Sequence, residues 1–182
     1  SFVRFPKWRS TEKNLGETLN AYFKTLPLKK WFSSFEPILN GMDCSYYGRK
    51  AKNIVIHTDF CSPIATSPTW SNLKKKEQDD LFIEGHLIWL ELLEELQPSY
   101  ILASIPIALF SKVFKTKGKL LISFNKKKDG TSRKKNYEVM LHEHKLKSGK
   151  IAKVVFGSAA NKPFDTITNE QKEEIGRVIK NN

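Results

Sequence analysis

The stretch Asn53-Ile-Val-Ile-His-Thr-Asp-Phe-Cys-Ser-Pro63 decides how the chain is read. Ile54, Val55 and Ile56 form an unbroken β-branched run, which predicts a short strand buried on both faces of a parallel sheet. His57, Thr58, Asp59 and Cys61 crowd its carboxyl end, the place where open α/β sheets bind ligands. An ionisable Asp adds nothing to core packing there, so the tip is a candidate site. Asp59 is its sharpest residue, an acceptor-only reader of a ligand when ionised; the plainer alternative is a loop-capping Asp. His57 and Thr58 flank it as pocket candidates. Nothing in the sequence lowers the thiol pKa of Cys61, which reads as packing.

Further elements extend from this strand in both directions. Upstream, Leu15, Leu19, Tyr22, Phe23 and Leu26 recur at helical spacing, as do Trp31, Phe35, Ile38 and Leu39 after Pro27, with Asn40-Gly41 ending that second helix. Downstream, Leu81, Ile88, Leu92 and Leu96 form one stripe of a helix over 77–96, which Pro98 stops. Tyr100 to Ala103 predicts a second buried strand, and residues 106–114 a short helix. The segments 120–124 and 137–145 alternate around Lys126-Lys-Lys-Asp-Gly130, predicting a hairpin. Ile151 to Phe156 is a third core strand. Thr168 with Gln171 is a capping box opening a last helix that carries Ile175, Val178 and Ile179. This order predicts a three-layer α/β/α domain with a mainly parallel central sheet, residues 1–182 forming a single domain with a basic hairpin insertion over 115–150.

The chain has 182 residues, 40% of them apolar, enough for one folded core. Its two cysteines, Cys44 and Cys61, suggest neither a disulfide framework nor a four-cysteine metal site, and point to a reducing cytoplasm. The longest apolar stretch, 100–114, is too short to span a bilayer, so no membrane is expected. The opening Ser1-Phe-Val-Arg-Phe-Pro-Lys-Trp8 resembles no signal peptide and reads as an entry into the middle of a fold.

The net charge is +12, and it is unevenly placed. Residues 112–153 hold fourteen Lys/Arg against Asp129, Glu138 and Glu143, a local +11. Such an excess is the electrostatic footprint of a polyanion, with solvated hairpin lysines as the bland alternative. Lys126, Lys127, Lys128, Arg133, Lys134 and Lys135 are therefore candidate DNA contacts. Gly157-Ser-Ala-Ala-Asn-Lys-Pro-Phe164 follows the third core strand. Its small residues permit close backbone approach, and Ser158, Asn161 and Lys162 are candidate phosphate partners. It lacks the spacing of a P-loop. His142-Glu143-His144 puts two imidazoles on one face of a strand, without a third ligand at helpful spacing. Solvent- or phosphate-facing histidines are the preferred reading over a metal site.

Three segments together resemble the uracil-DNA glycosylase superfamily: Ile56-His-Thr-Asp-Phe-Cys-Ser-Pro63, the helix 84–96 with Trp89 followed by Pro98, and Tyr100-Ile-Leu-Ala-Ser104. In that family an apolar strand ends in a pyrimidine-reading Asn, often followed by Cys and Pro. The resemblance covers roughly residues 50–182 and places Asp59 at the Asn position. It places the 157–164 loop where the family has its minor-groove His-Pro-Ser loop, although that His is absent here and Asn161 is the nearest polar substitute. The family's water-positioning first motif has no counterpart in the chain and is expected upstream of Ser1 or lost. Arg4-Phe5-Pro6 matches the segment after that motif, which implies Phe5 as the aromatic that stacks on an extruded base.

The resemblance thus implies a DNA glycosylase that flips out a base and hydrolyses its N-glycosidic bond, without metal or cofactor, as a monomer acting on DNA. An acceptor-only Asp59 repels uracil O4 and suits the exocyclic amine of a cytosine-type base, which favours a modified cytosine over uracil. Such bases occur in viral DNA, so the expectation extends from DNA repair to anti-phage defence. No catalytic residue is assigned. The alternative is a nucleic-acid-binding domain of the same fold without activity.

Overall fold

The computed structural model describes residues 29–47, 53–61, 68–159 and 163–182. Four strands form one sheet: β1 Tyr100–Ala103, β2 Lys119–Lys126, β3 Ser132–Lys145 and β4 Ile151–Gly157, in the order β1-β4-β3-β2. The helices are α1 Lys29–Phe32, α2 Glu36–Gly41, α3 Lys75–Leu96, α4 Ile107–Val113 and α5 Asn169–Lys180, with a 3₁₀ turn over Trp70–Asn72.

The fold class is α/β, but the sheet is not mainly parallel. Only β1 and β4 run parallel, while β4–β3 and β3–β2 are antiparallel. Two corrections follow from one cause. The expected strand over 54–57 does not form, for residues 54–59 carry no regular structure, and Ile54 is 92% and Ile56 56% exposed. Without it the parallel part of the described sheet shrinks to two strands, and the hairpin is an integral half of the sheet instead of an insertion beside it.

β4 is the hinge of the packing. Ala152, Val154 and Phe156 point to one face, where α3 (Trp89, Leu93) and α4 (Phe110) with Phe114 cover them. Val155 points to the other, with Val139 and Leu141 of β3 beneath Ile38 of α2 and Ile175 and Ile179 of α5. Helices therefore lie on both faces, as expected of a three-layer arrangement. Burying one Val or Ile of this kind contributes about 1.5–3 kcal/mol.

Local signals explain most boundaries. Thr168 caps α5 by accepting from Gln171 N, while the Gln171 side chain accepts from Thr168 N. α3 ends at Gln97, which takes a left-handed φ of 45° before Pro98. Gly130 supplies the φ of +81° needed in the β2–β3 turn. The helix expected over 31–39 is broken into α1 and α2 by a turn at Ser34, with Pro37 in the first turn of α2.

Gly41 does not terminate a helix by turning left-handed; it is the last residue of α2 and is buried against α5. A Cβ on Gly176 would lie 2.8 Å from Gly41 Cα and would overlap Ile38 O, so the two helices cross backbone to backbone. Gly176→Ala is expected to destabilise the fold by about 1–3 kcal/mol in denaturant unfolding. Glu174→Ala, on the exposed face of α5, should change it by less than about 0.5 kcal/mol.

Candidate nucleic-acid interface

β3 pairs with β4 only from Val139↔Gly157 to Lys145↔Ile151, although it starts at Ser132. Residues 132–138 and their β2 partners therefore project beyond the last residue of β4, by roughly 20 Å for seven extended residues. β1 ends level with β4, at Ala103 opposite Phe156. The basic hairpin tip consequently overhangs the carboxyl ends of the two parallel strands, where open α/β sheets present their sites. Between the pairs Phe124↔Tyr137 and Lys126↔Ser132 the register jumps, so that Asn125 alone faces Arg133–Asn136. This bulge pushes Arg133, Lys134 and Lys135 out of the regular ladder.

From Lys126 to Lys135 the chain carries six Lys/Arg against Asp129. Asp129 is occupied locally. Its carboxylate accepts from Thr131 N and Oγ1, which holds its pKa below the usual carboxylate range. The six cations divide into two groups. Arg133 and Lys128 tie the tip to the body: Arg133 donates through Nε to Lys126 O (3.0 Å) and through Nη2 to Thr166 O, and stacks 5.5 Å above the Tyr137 ring. Lys128 Nζ lies 3.1 Å from Asp165 Oδ1, a half-exposed pair that adds no more than about 1 kcal/mol. Lys126 Nζ reaches Ser132 Oγ at 3.3 Å. Lys127, Lys134 and Lys135 are exposed; Lys127 lies within the field of the Asp129 carboxylate, and Lys134 and Lys135 have no side-chain hydrogen bond or ion pair among the described residues.

The loop after β4 lies under this tip. Ser104 Oγ donates to Gly157 O (3.1 Å) and accepts from Phe164 N (2.9 Å), joining the ends of both parallel strands. Tyr137 Oη donates to Ser158 O at 3.0 Å. Gly157 is small because Phe164 and Tyr137 Oη press on it, the latter 2.8 Å from where a Cβ would be. The close approach expected of a ligand is thus made by the chain itself. Ser158 is exposed; Asn161 and Lys162, expected beside it, lie outside the described residues, as does Phe5.

Lys172 was not foreseen. It is 4% exposed on α5 and donates from Nζ to Ser34 O (3.0 Å) and Pro163 O (3.3 Å), pinning the same loop to the α1–α2 turn. Burial above all, with Lys128 adding to it and Asp165 opposing, lowers its pKa to about 8. The sequence signal for it is a lysine at the apolar spacing of Ile175 and Ile179.

The 53–61 segment crosses between the two helix layers. Val55 packs into the α2–α5 core and Phe60 into the α3–α4 core. His57 sits among the rings of Phe32 (5.0 Å), Phe35 (5.8 Å) and Tyr46 (6.3 Å), with Tyr46 Oη 3.5 Å from its Nδ1. Thr58 Oγ1 accepts from Trp89 Nε1 at 3.1 Å. Phe60 packs edge-on against Trp89 and Phe82. His57, Thr58 and Phe60 are therefore anchors, and Asp59, between Thr58 and Phe60, is exposed. Burial lifts the Cys61 thiol to about 11, consistent with a packing role.

His142 and His144 do share a face, but not one turned to solvent or phosphate. They pack against Phe110 (4.9 Å) and Phe114 (5.6 Å), and His142 Nδ1 lies 2.8 Å from Thr116 O. No group of three or more His, Cys, Asp or Glu is placed to hold a metal among the described residues, and no described helix is long and apolar enough to cross a membrane. No family model, curated protein or solved structure matches this chain.

Burial keeps the His57 pKa below its ordinary value, with Asp59 opposing. The unfolded chain then binds more protons than the fold as pH falls through about 6.5, so stability is full above that value and declines toward the folded pKa. Denaturant unfolding at about pH 7.5 and about pH 5.5 should show this loss, and His57→Gln should make it smaller. An unchanged pH dependence in the variant would count against a buried neutral His57.

Proposed function

We propose that this chain binds nucleic acid, gripping phosphates with the β2–β3 hairpin. One observation carries the reading: a dense basic tip overhangs the carboxyl ends of β1 and β4, with Lys127, Lys134 and Lys135 exposed and the tip held in place by Arg133 and Lys128. Exposed lysines release condensed counterions when they meet a phosphate backbone, which makes binding tight at low salt and independent of sequence.

Fluorescence anisotropy with a labelled duplex tests this. Affinity should fall steeply with salt, and the triple variant Lys127→Glu, Lys134→Glu, Lys135→Glu should bind at least about tenfold more weakly with a salt slope shallower by about 3. Lys147→Glu, in the β3–β4 turn at the opposite end of β3, should bind as the parent does. A loss in Lys147→Glu of about one third of the triple variant's, in log affinity, would reduce the interface to a net-charge effect.

A second reading, base excision, is favoured by the exposure of Asp59 between two anchored neighbours, Thr58 and Phe60. It takes support from the resemblance to uracil-DNA glycosylases, in which this position reads the base. The acceptor-only carboxylate selects an exocyclic amine, so a modified cytosine is the base proposed over uracil. Abasic-site formation on duplexes carrying uracil, 5-hydroxymethylcytosine or its glucosylated form is the measurement. Release of a cytosine derivative that disappears in Asp59→Asn is expected. Release of uracil alone, unaffected by Asp59→Asn, would rule the cytosine reading out.

A further inference from the structure

α3 is chemically unlike the rest of the chain. It carries seven of the 19 acidic residues of a protein whose net charge is +12. At 100° per residue its buried face is Phe82, Trp89 and Leu93. A second stripe, Leu81, Ile88, Leu92 and Leu96, lies to one side of that face. Ile88 is 48%, Leu92 37% and Leu96 38% exposed. Glu84, Glu91 and Glu95 run along its outer border, exposed and without an ion-pair partner among the described residues. The charge also runs against the helix dipole: lysines stand at the amino end, acids in the last turns, and no basic residue is in the last turn. Glu77 accepts from Lys74 N in the capping box and Asp79 pairs with Lys75 and Lys112, but intrahelical stability does not account for Glu84, Glu91 and Glu95.

We propose that this stripe is a docking surface for a basic amphipathic helix of a partner protein, laid along α3 with its apolar side on Ile88, Leu92 and Leu96 and its lysines or arginines over Glu84, Glu91 and Glu95. Residues at i, i+7, i+11 and i+15 share one stripe of the helix, and an apolar stripe bordered on one side by acids selects a partner helix bordered by bases. The same border discriminates against a second copy of this chain. In an antiparallel pair about the two-fold axis usual for homodimers, the glutamates of one α3 face those of the other. An anionic lipid surface meets the same repulsion.

The test uses the full chain and two labelled peptides of roughly 20 residues, both with a leucine seam, one bordered by lysine and the other by glutamate. The lysine peptide should bind at least about tenfold more tightly than the glutamate peptide. Ile88→Asp with Leu92→Asp should abolish that binding while leaving duplex binding and the circular dichroism melt unchanged. Glu84→Lys with Glu91→Lys, which keeps the seam, should reverse the preference. Equal affinity for both peptides, or binding that survives the Ile88/Leu92 changes, would overturn the proposal. So would a parent dimer in sedimentation that Ile88→Asp with Leu92→Asp converts to monomer. Because duplex binding is read in parallel, failure here and failure of the hairpin interface are distinguishable.

Discussion

The structure depends on β4 being buried on both faces and on both edges. A seven-residue strand with Ala152, Val154, Val155 and Phe156 all buried leaves only Ile151 exposed and Lys153 half-buried, and its backbone is committed to β1 on one side and β3 on the other. That commitment fixes where the basic hairpin projects. β1 and β4 end together because they are in parallel register, while β3 must run past them to reach its turn with β2. The overhang of the basic tip is thus a consequence of unequal strand lengths: β3 has fourteen residues and β4 seven.

An overhanging hairpin is a marginal structure by itself, since two strands without a covering layer rarely hold their shape in water. Here the tip is held by polar ties. Arg133 reaches Thr166 O, Lys128 reaches Asp165, Tyr137 reaches Ser158 O, and Lys172 holds Pro163 O from beneath. The loop over 163–166 is the common anchor. Two of the tip cations do positional work, which leaves the remaining lysines presented on a fixed frame. Binding a phosphate backbone with such lysines then costs less ordering entropy than binding with a floppy arm.

Much of this was legible in the sequence because its signals are local. The α5 capping box at Thr168, the alternation in β2 and β3 and the turn glycine Gly130 all declare themselves within a few residues. The misread segment shows where local information fails. Ile54-Val-Ile56 has the composition of a buried strand, but a strand also needs a partner edge and a cover on each face, both supplied from far away in sequence. Only Val55 finds a core, and His57 is captured by Phe32, Phe35 and Tyr46 of the α1–α2 region. The same limit hid Ser104 and Lys172, whose partners lie 53 and 60 residues away for Ser104 and 138 for the Ser34 contact of Lys172. Asp59 was legible as a polar residue set among apolar ones and His57 as a histidine that a fold more often satisfies than uses, but the Trp89 partner of Thr58, 31 residues away, was not.

The distribution of charge ties these features together. α3 leads directly into β1 at one edge of the sheet, and β2 of the basic hairpin is the opposite edge. The acids of the last turns of α3 lie by the β3–β4 turn, where Glu94 accepts from Lys147 N, at the opposite end of β3 from the basic tip, so the two charges are held apart along the strands. A molecule with that polarity turns its hairpin edge toward a polyanion during encounter and its α3 face away from it. The two proposed surfaces share no residue, one being on α3 and the other on the β2–β3 tip, so neither competes with the other for a contact.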